Sequence, residues 1–184
     1  MVGTALVLVS VGFFLGRNLF AGWALGQNAD IAVRIGQILP ARSAGIEDDR
    51  ANTDMSVLQF EGKDYVCLLE VPAFDVCLPV QSQWDAKELV YGPCRFWGSC
   101  YDGTMILGGS GLKGQFDFCQ QLDLDDLVVI TDMEGTEFTY HVERIDRSQT
   151  VPFEKLSDSS YSLTLFVREA YSTDYIIVRC NMVL

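Results

Sequence analysis

From Asp64 onward, short apolar runs alternate with turn signals, and that rhythm limits the fold to one rich in β-strands. Tyr65-Val66-Cys67-Leu68-Leu69-Glu70-Val71 is a continuous apolar run bounded by Pro72. Asp75-Val76-Cys77-Leu78-Pro79-Val80 follows after a tight connection, and Thr104 to Leu107 is closed by Gly108-Gly109. Leu127 to Thr131 leads into the turn signal Asp132-Met133-Glu134-Gly135. Thr136 to Ile145 then alternates, with Phe138, Tyr140 and Val142 on one face and Thr139, His141 and Glu143 on the other. Leu163 to Val167 and Tyr175 to Val183 read as closing strands, Phe116 to Leu122 as a short helix, and Trp84 to Glu88 as irregular. About eight short strands with one or two small helices predict a mainly β protein, a closed antiparallel-rich barrel.

The N-terminal part has a different character. Val2 to Leu15 is almost purely apolar, Arg17 and Asn18 interrupt, and Leu19 to Leu25 continues. One helix over this stretch spans roughly 36 Å, enough to cross a bilayer if Arg17 reaches a headgroup. Residues 1–26 are therefore expected to be a membrane anchor; a cleaved signal peptide is the rival, given the small residues of Ala21-Gly22-Trp23-Ala24. The first positive charges, Arg17, Arg34 and Arg42, follow the apolar run, so the positive-inside rule taken literally puts the rest of the chain in the cytoplasm. Residues 27–58 are expected to be an amphipathic helix and a linker, with Ile31, Ala32, Ile35 and Ile38 at helical spacing and Pro40 as the stop. Ala41 to Ser56 is polar and reads as spacer, and the barrel is expected over 59–184.

The net charge of −12 excludes nucleic acid as a partner, because phosphate contacts need clustered Lys and Arg. The cysteines (67, 77, 94, 100, 119 and 180) show no C-x-x-C spacing, and with one histidine they make no zinc-type cluster. No metal or other cofactor is expected. The acids Asp123, Asp125 and Asp126 read as a solvated turn.

Ser162-Leu163-Thr164-Leu165-Phe166-Val167-Arg168-Glu169-Ala170, followed by Tyr175-Ile176-Ile177-Val178-Arg179-Cys180, resembles the last two strands of a sortase. Leu78-Pro79-Val80 resembles the L-P-V of the sortase opening hairpin, and Pro93-Cys94-Arg95-Phe96-Trp97-Gly98-Ser99 resembles a segment of clostridial sortases. Sortases are surface cysteine transpeptidases of Gram-positive bacteria, so the resemblance implies an extracytoplasmic barrel on a single membrane span. It thereby conflicts with the charge rule; a reading frame truncated at its start would reconcile the two.

The family's chemistry uses a cysteine at the end of a T-L-x-T-C strand, a histidine after a small residue and glycine, and an arginine opening the next strand. The thiol attacks a peptide carbonyl, the imidazole moves protons and the guanidinium stabilises developing charge. In this chain the matching positions hold Arg168, Ser110 and Tyr175. A serine hydroxyl does not titrate near neutral pH, and a guanidinium is no nucleophile. Cys119, Cys100 and Cys180 do not match the nucleophile position, and only Lys113 lies near Ser110 in sequence as a base. Gly109, Val167, Glu169 and Tyr171 are the expected groove residues, and Arg168 is expected to be solvated or paired with Glu169 or Asp174.

The expected function is that of a catalytically inactive pseudo-sortase at the cell surface, a binding or scaffold module for a sorting-signal-like peptide or another surface protein. An active transpeptidase that anchors surface proteins or assembles pili, and a structural β-barrel with a filled-in groove, are the alternatives. Large side chains projecting into the groove favour the last; an open groove favours the first.

Overall fold

A computed structural model describes residues 26–44, 54–150, 153–158, 160–169 and 172–183. A helix, α1, covers residues 26–38. The strands are β1 (Ser43–Ala44), β2 (Leu58–Phe60), β3 (Lys63–Val71), β4 (Val76–Gln81), β5 (Cys94–Trp97), β6 (Met105–Ser110), β7 (Leu127–Asp132), β8 (Thr136–Ser148), β9 (Leu163–Arg168) and β10 (Tyr175–Met182). A one-turn helix, α2 (Phe153–Leu156), sits between β8 and β9. Strand pairing runs β8-β10-β9-β6-β5-β4-β3, and β7 pairs with both β3 and β8, so eight strands close into a barrel. Closure removes the exposed sheet edge that an open sheet of this size presents.

Each strand forms for a visible reason. In β8 the predicted alternation holds: Phe138, Tyr140 and Val142 are buried, while Thr139, His141 and Glu143 turn away. The continuous apolar run of β3 is explained by burial on both faces. Cys67, Leu69 and Val71 enter the barrel, while Tyr65 and Leu68 pack beneath Ile31, Ala32 and Ile35 of α1. Pro79, which has no N–H to give, lies on β4, whose contact with β5 is one residue pair, Gln81 with Cys94. The turn at Asp132 is fixed by its carboxylate, which accepts the N–H groups of Glu134 (2.9 Å) and Thr136 (2.8 Å) and the hydroxyl of Tyr101 (2.8 Å).

Residues 1–25, where the anchor is expected, lie outside the described residues. Among the described residues no helix is long and apolar enough to cross a membrane. Two details of the next segment correct expectation. Ile38 is 57% exposed, because the helix ends there and Leu39 takes the inward place against the α1 cluster. The residues just after Pro40 are not free spacer: Arg42 bridges Glu70 (2.6 Å) and Glu137 (2.5 Å), and β1 pairs in parallel with the start of β8. The expected helix at Phe116 is a 3-10 helix, Phe116–Gln120.

Candidate functional site

β6, β9 and β10 lie side by side, and their register sorts their side chains into rows. Met105 and Leu107 of β6, Leu163, Leu165 and Val167 of β9, and Ile176, Val178 and Cys180 of β10 enter the barrel core. The alternate residues face outward. The first outward row is Ser110, Arg168 and Tyr175; the second is Gly108, Phe166 and Ile177; the third is Ile106, Thr164 and Arg179.

The second row is covered. Trp84 crosses β6 so closely that a Cβ on Gly108 would fall 2.3 Å from its ring and 2.7 Å from Phe166. Trp84, Phe96 and Phe166 form a three-ring cluster with centroids 5.0–5.5 Å apart, two of the pairs edge to face. Trp84 lies in the stretch expected to be irregular, and no local pattern there signals its place over Gly108.

In the third row Arg179 is 5% exposed and donates to the carbonyls of Leu156 (2.9 Å) and Lys155 and to Thr164 Oγ1 (3.0 Å). These carbonyls end α2 and have no partner within it. Burial holds the Arg179 pKa below its ordinary value, although Asp158 opposes that shift. A small cleft of about 170 Å³ remains here, between Trp97, Ile106, Leu156 and Tyr161.

The first row is open. A groove of about 680 Å³ lies over its Ser110 and Arg168, with walls from Leu89 and Val90, from the turn Gly109–Leu112, and from Glu169, Ser172 and Thr173; Tyr175, the third member of the row, does not line it. Gln115 holds one wall in place by donating to the Val90 carbonyl (2.8 Å). Gly109 must lack a side chain, since a Cβ would sit 2.2 Å from the buried Phe116 ring. Ser110 Oγ accepts the Leu112 N–H (3.4 Å), so this hydroxyl shapes the turn. Arg168 is exposed, and among the described residues neither Glu169 nor Asp174 forms an ion pair with it. Instead the Glu169 N–H donates to the Asp174 carbonyl (2.9 Å) and closes the β9–β10 loop. Of the expected groove residues, Gly109 and Glu169 line it. Val167 does not: it is 1% exposed inside the barrel, one pleat out of phase with Arg168. Tyr171 lies outside the described residues.

No thiol lines this groove. All six cysteines are free; five are buried and Cys77 is half-buried. Burial raises every one of their pKa values, that of Cys77 to about 11 and that of Cys180 to about 12. His141 is on β8, with Nε2 3.6 Å from Glu143. Asp126 accepts the Asp123 N–H (2.9 Å), which makes the acidic run a closed turn. No group of three or more His, Cys, Asp or Glu side chains able to hold a metal ion occurs among the described residues.

No protein-family model and no curated protein matches the chain. Solved structures do. Sortase A from Corynebacterium diphtheriae is 18% identical over 91% of this chain and 84% of its own, with a TM-score of 0.58. Sortase A from Listeria monocytogenes is 18% identical over 65% of this chain and 88% of its own, with a TM-score of 0.56. Sortase C from Clostridium perfringens SM101 is 17% identical over 65% and 70%, with a TM-score of 0.53. Such identities speak to architecture alone: the closed eight-stranded barrel of this chain has the sortase fold.

Proposed function

We propose that this protein is a sortase-like pseudoenzyme, a barrel that binds a peptide or a segment of another surface protein in the groove over its first outward row. In this reading Ser110, Arg168 and Tyr175 stand at the positions of the family's histidine, cysteine and arginine. The apolar N-terminal segment holds the barrel at the outer face of the cell membrane. The observation that carries the reading is the row itself. Three adjacent strands bring these residues together beside an open groove, and no thiol or imidazole lines that groove among the described residues. Acyl transfer through a thioester needs a thiol at the strand end, and Arg168 offers charge and hydrogen bonds in its place.

One observation favours the structural-barrel alternative: the Trp84, Phe96 and Phe166 rings fill the second row. The volume over the first row favours binding. The test offers sorting-signal peptides to the full chain and follows intact mass alongside reversible binding. Binding without an acyl adduct is expected. An adduct on any cysteine overturns the pseudoenzyme reading, and the absence of both binding and adduct gives the structural barrel.

A further inference from the structure

The groove has an end. A peptide laid over the first row cannot continue across the second, because Trp84 packs on Gly108 and joins Phe96 and Phe166 in a closed cluster. On that covered side a chain terminus can stop, whereas an internal segment has to turn away. Charge then separates the two termini. Arg168 lines the groove, is exposed and has no ion-pair partner among the described residues, and the hydroxyl-bearing Ser110, Ser172 and Thr173 stand around it. An N-terminal ammonium brought there meets a like charge, whereas a carboxylate meets a fork of N–H donors suited to it. Glu169 also borders the groove, just past the end of β9, so an incoming carboxylate has to sit on the Arg168 side, away from the Glu169 side chain.

We propose that the groove receives the free C-terminal carboxylate of an extended peptide, with Arg168 as its charge partner. The inference rests on the peptide-binding reading above and narrows it to one end of the peptide. It is tested with the isotope-labelled full chain in a mild detergent, titrated with a pool of N-acetylated pentapeptides as free acids and with the same pool as carboxamides. The expected result is a shift of the Gly111, Arg168 and Ser172 amide signals by the acid pool, with binding at least about tenfold weaker for the amide pool. The variant R168Q is expected to reduce the acid pool to the affinity of the amides. Equal binding of both pools to the native groove overturns the carboxylate inference and leaves peptide binding standing. No shift with either pool overturns both.

Discussion

The inner and outer faces of β6, β9 and β10 take alternate residues of the same three strands, yet they obey different rules. The inner face is apolar throughout and is shared by one continuous core. The outer face changes character every two residues, from a polar open row, to an aromatic covered row, to a row where buried Arg179 secures α2. Side chains on the inner face are fixed by packing density, which tolerates little change of volume. Those on the outer face are fixed by whatever lies over each row. Fold is therefore retained by one set of residues while the other set is free to carry a different chemistry.

The largest effect that separates the faces is expected from pH. Cys67, Cys100, Cys119 and Cys180 belong to the interior, and burial raises their pKa values along with those of Cys77 and Cys94. A thiol whose folded pKa is raised contributes stability that is fully present below its unfolded value, near 9, and is lost as pH rises toward the folded value. The loss is about 1.4 kcal/mol per pH unit for each such thiol. Several together are enough to exceed a typical domain stability of about 5–15 kcal/mol. Circular dichroism from about pH 8 to 11 should show cooperative unfolding in the upper part of that range; a flat profile breaks the account of the interior.

The neighbours Leu165 and Phe166 compare the faces directly, since they point opposite ways from one strand. Leu165→Ala is expected to destabilise by about 3 kcal/mol in denaturant titration. Phe166→Ala, which empties the covered cluster on the outer face, is expected to cost a comparable amount, about 3 kcal/mol, because Phe166 is itself buried. The adjacent glycines make a smaller comparison. Gly109→Ala presses on the fully buried Phe116 and should cost about 2 kcal/mol, while Gly108→Ala presses first on half-buried Trp84 and then on Phe166 and should cost somewhat less, about 1.5 kcal/mol. A red shift of tryptophan fluorescence is expected from the Gly108 variant alone. Smallest of all, Arg168→Ala should leave stability within about 0.5 kcal/mol of the parent, because the side chain is exposed and unpaired among the described residues. A larger loss there would mean that the first row is structural.

Much of this architecture was legible in the residues. Alternation in β8 depends only on nearest neighbours along one strand, so Phe138, Tyr140 and Val142 declare their face without help. The frame Thr164-Leu165-Phe166-Val167 and its sequel at Tyr175 place β9 and β10, and their register then brings Ser110, Arg168 and Tyr175 into one row. Contacts distant in sequence were not legible. Trp84 covering Gly108, Arg42 joining Glu70 to Glu137, and Arg179 holding α2 all depend on tertiary approach that no local pattern encodes. Val167 was misplaced for a simpler reason: on a strand, the neighbour of a groove residue faces the core.

This sortase fold presents no reactive thiol at its groove, and thiol accessibility in the native protein tests that most directly. The full chain, under reducing conditions followed by a brief exposure to a maleimide near neutral pH, is read by intact mass and peptide mapping. Five cysteines are expected to stay unmodified, and only half-buried Cys77, with its pKa pushed up to about 11, is expected to label slowly. Fast, single modification of a cysteine, blocked by a bound peptide, would contradict this and show that a reactive thiol reaches the groove beside Arg168.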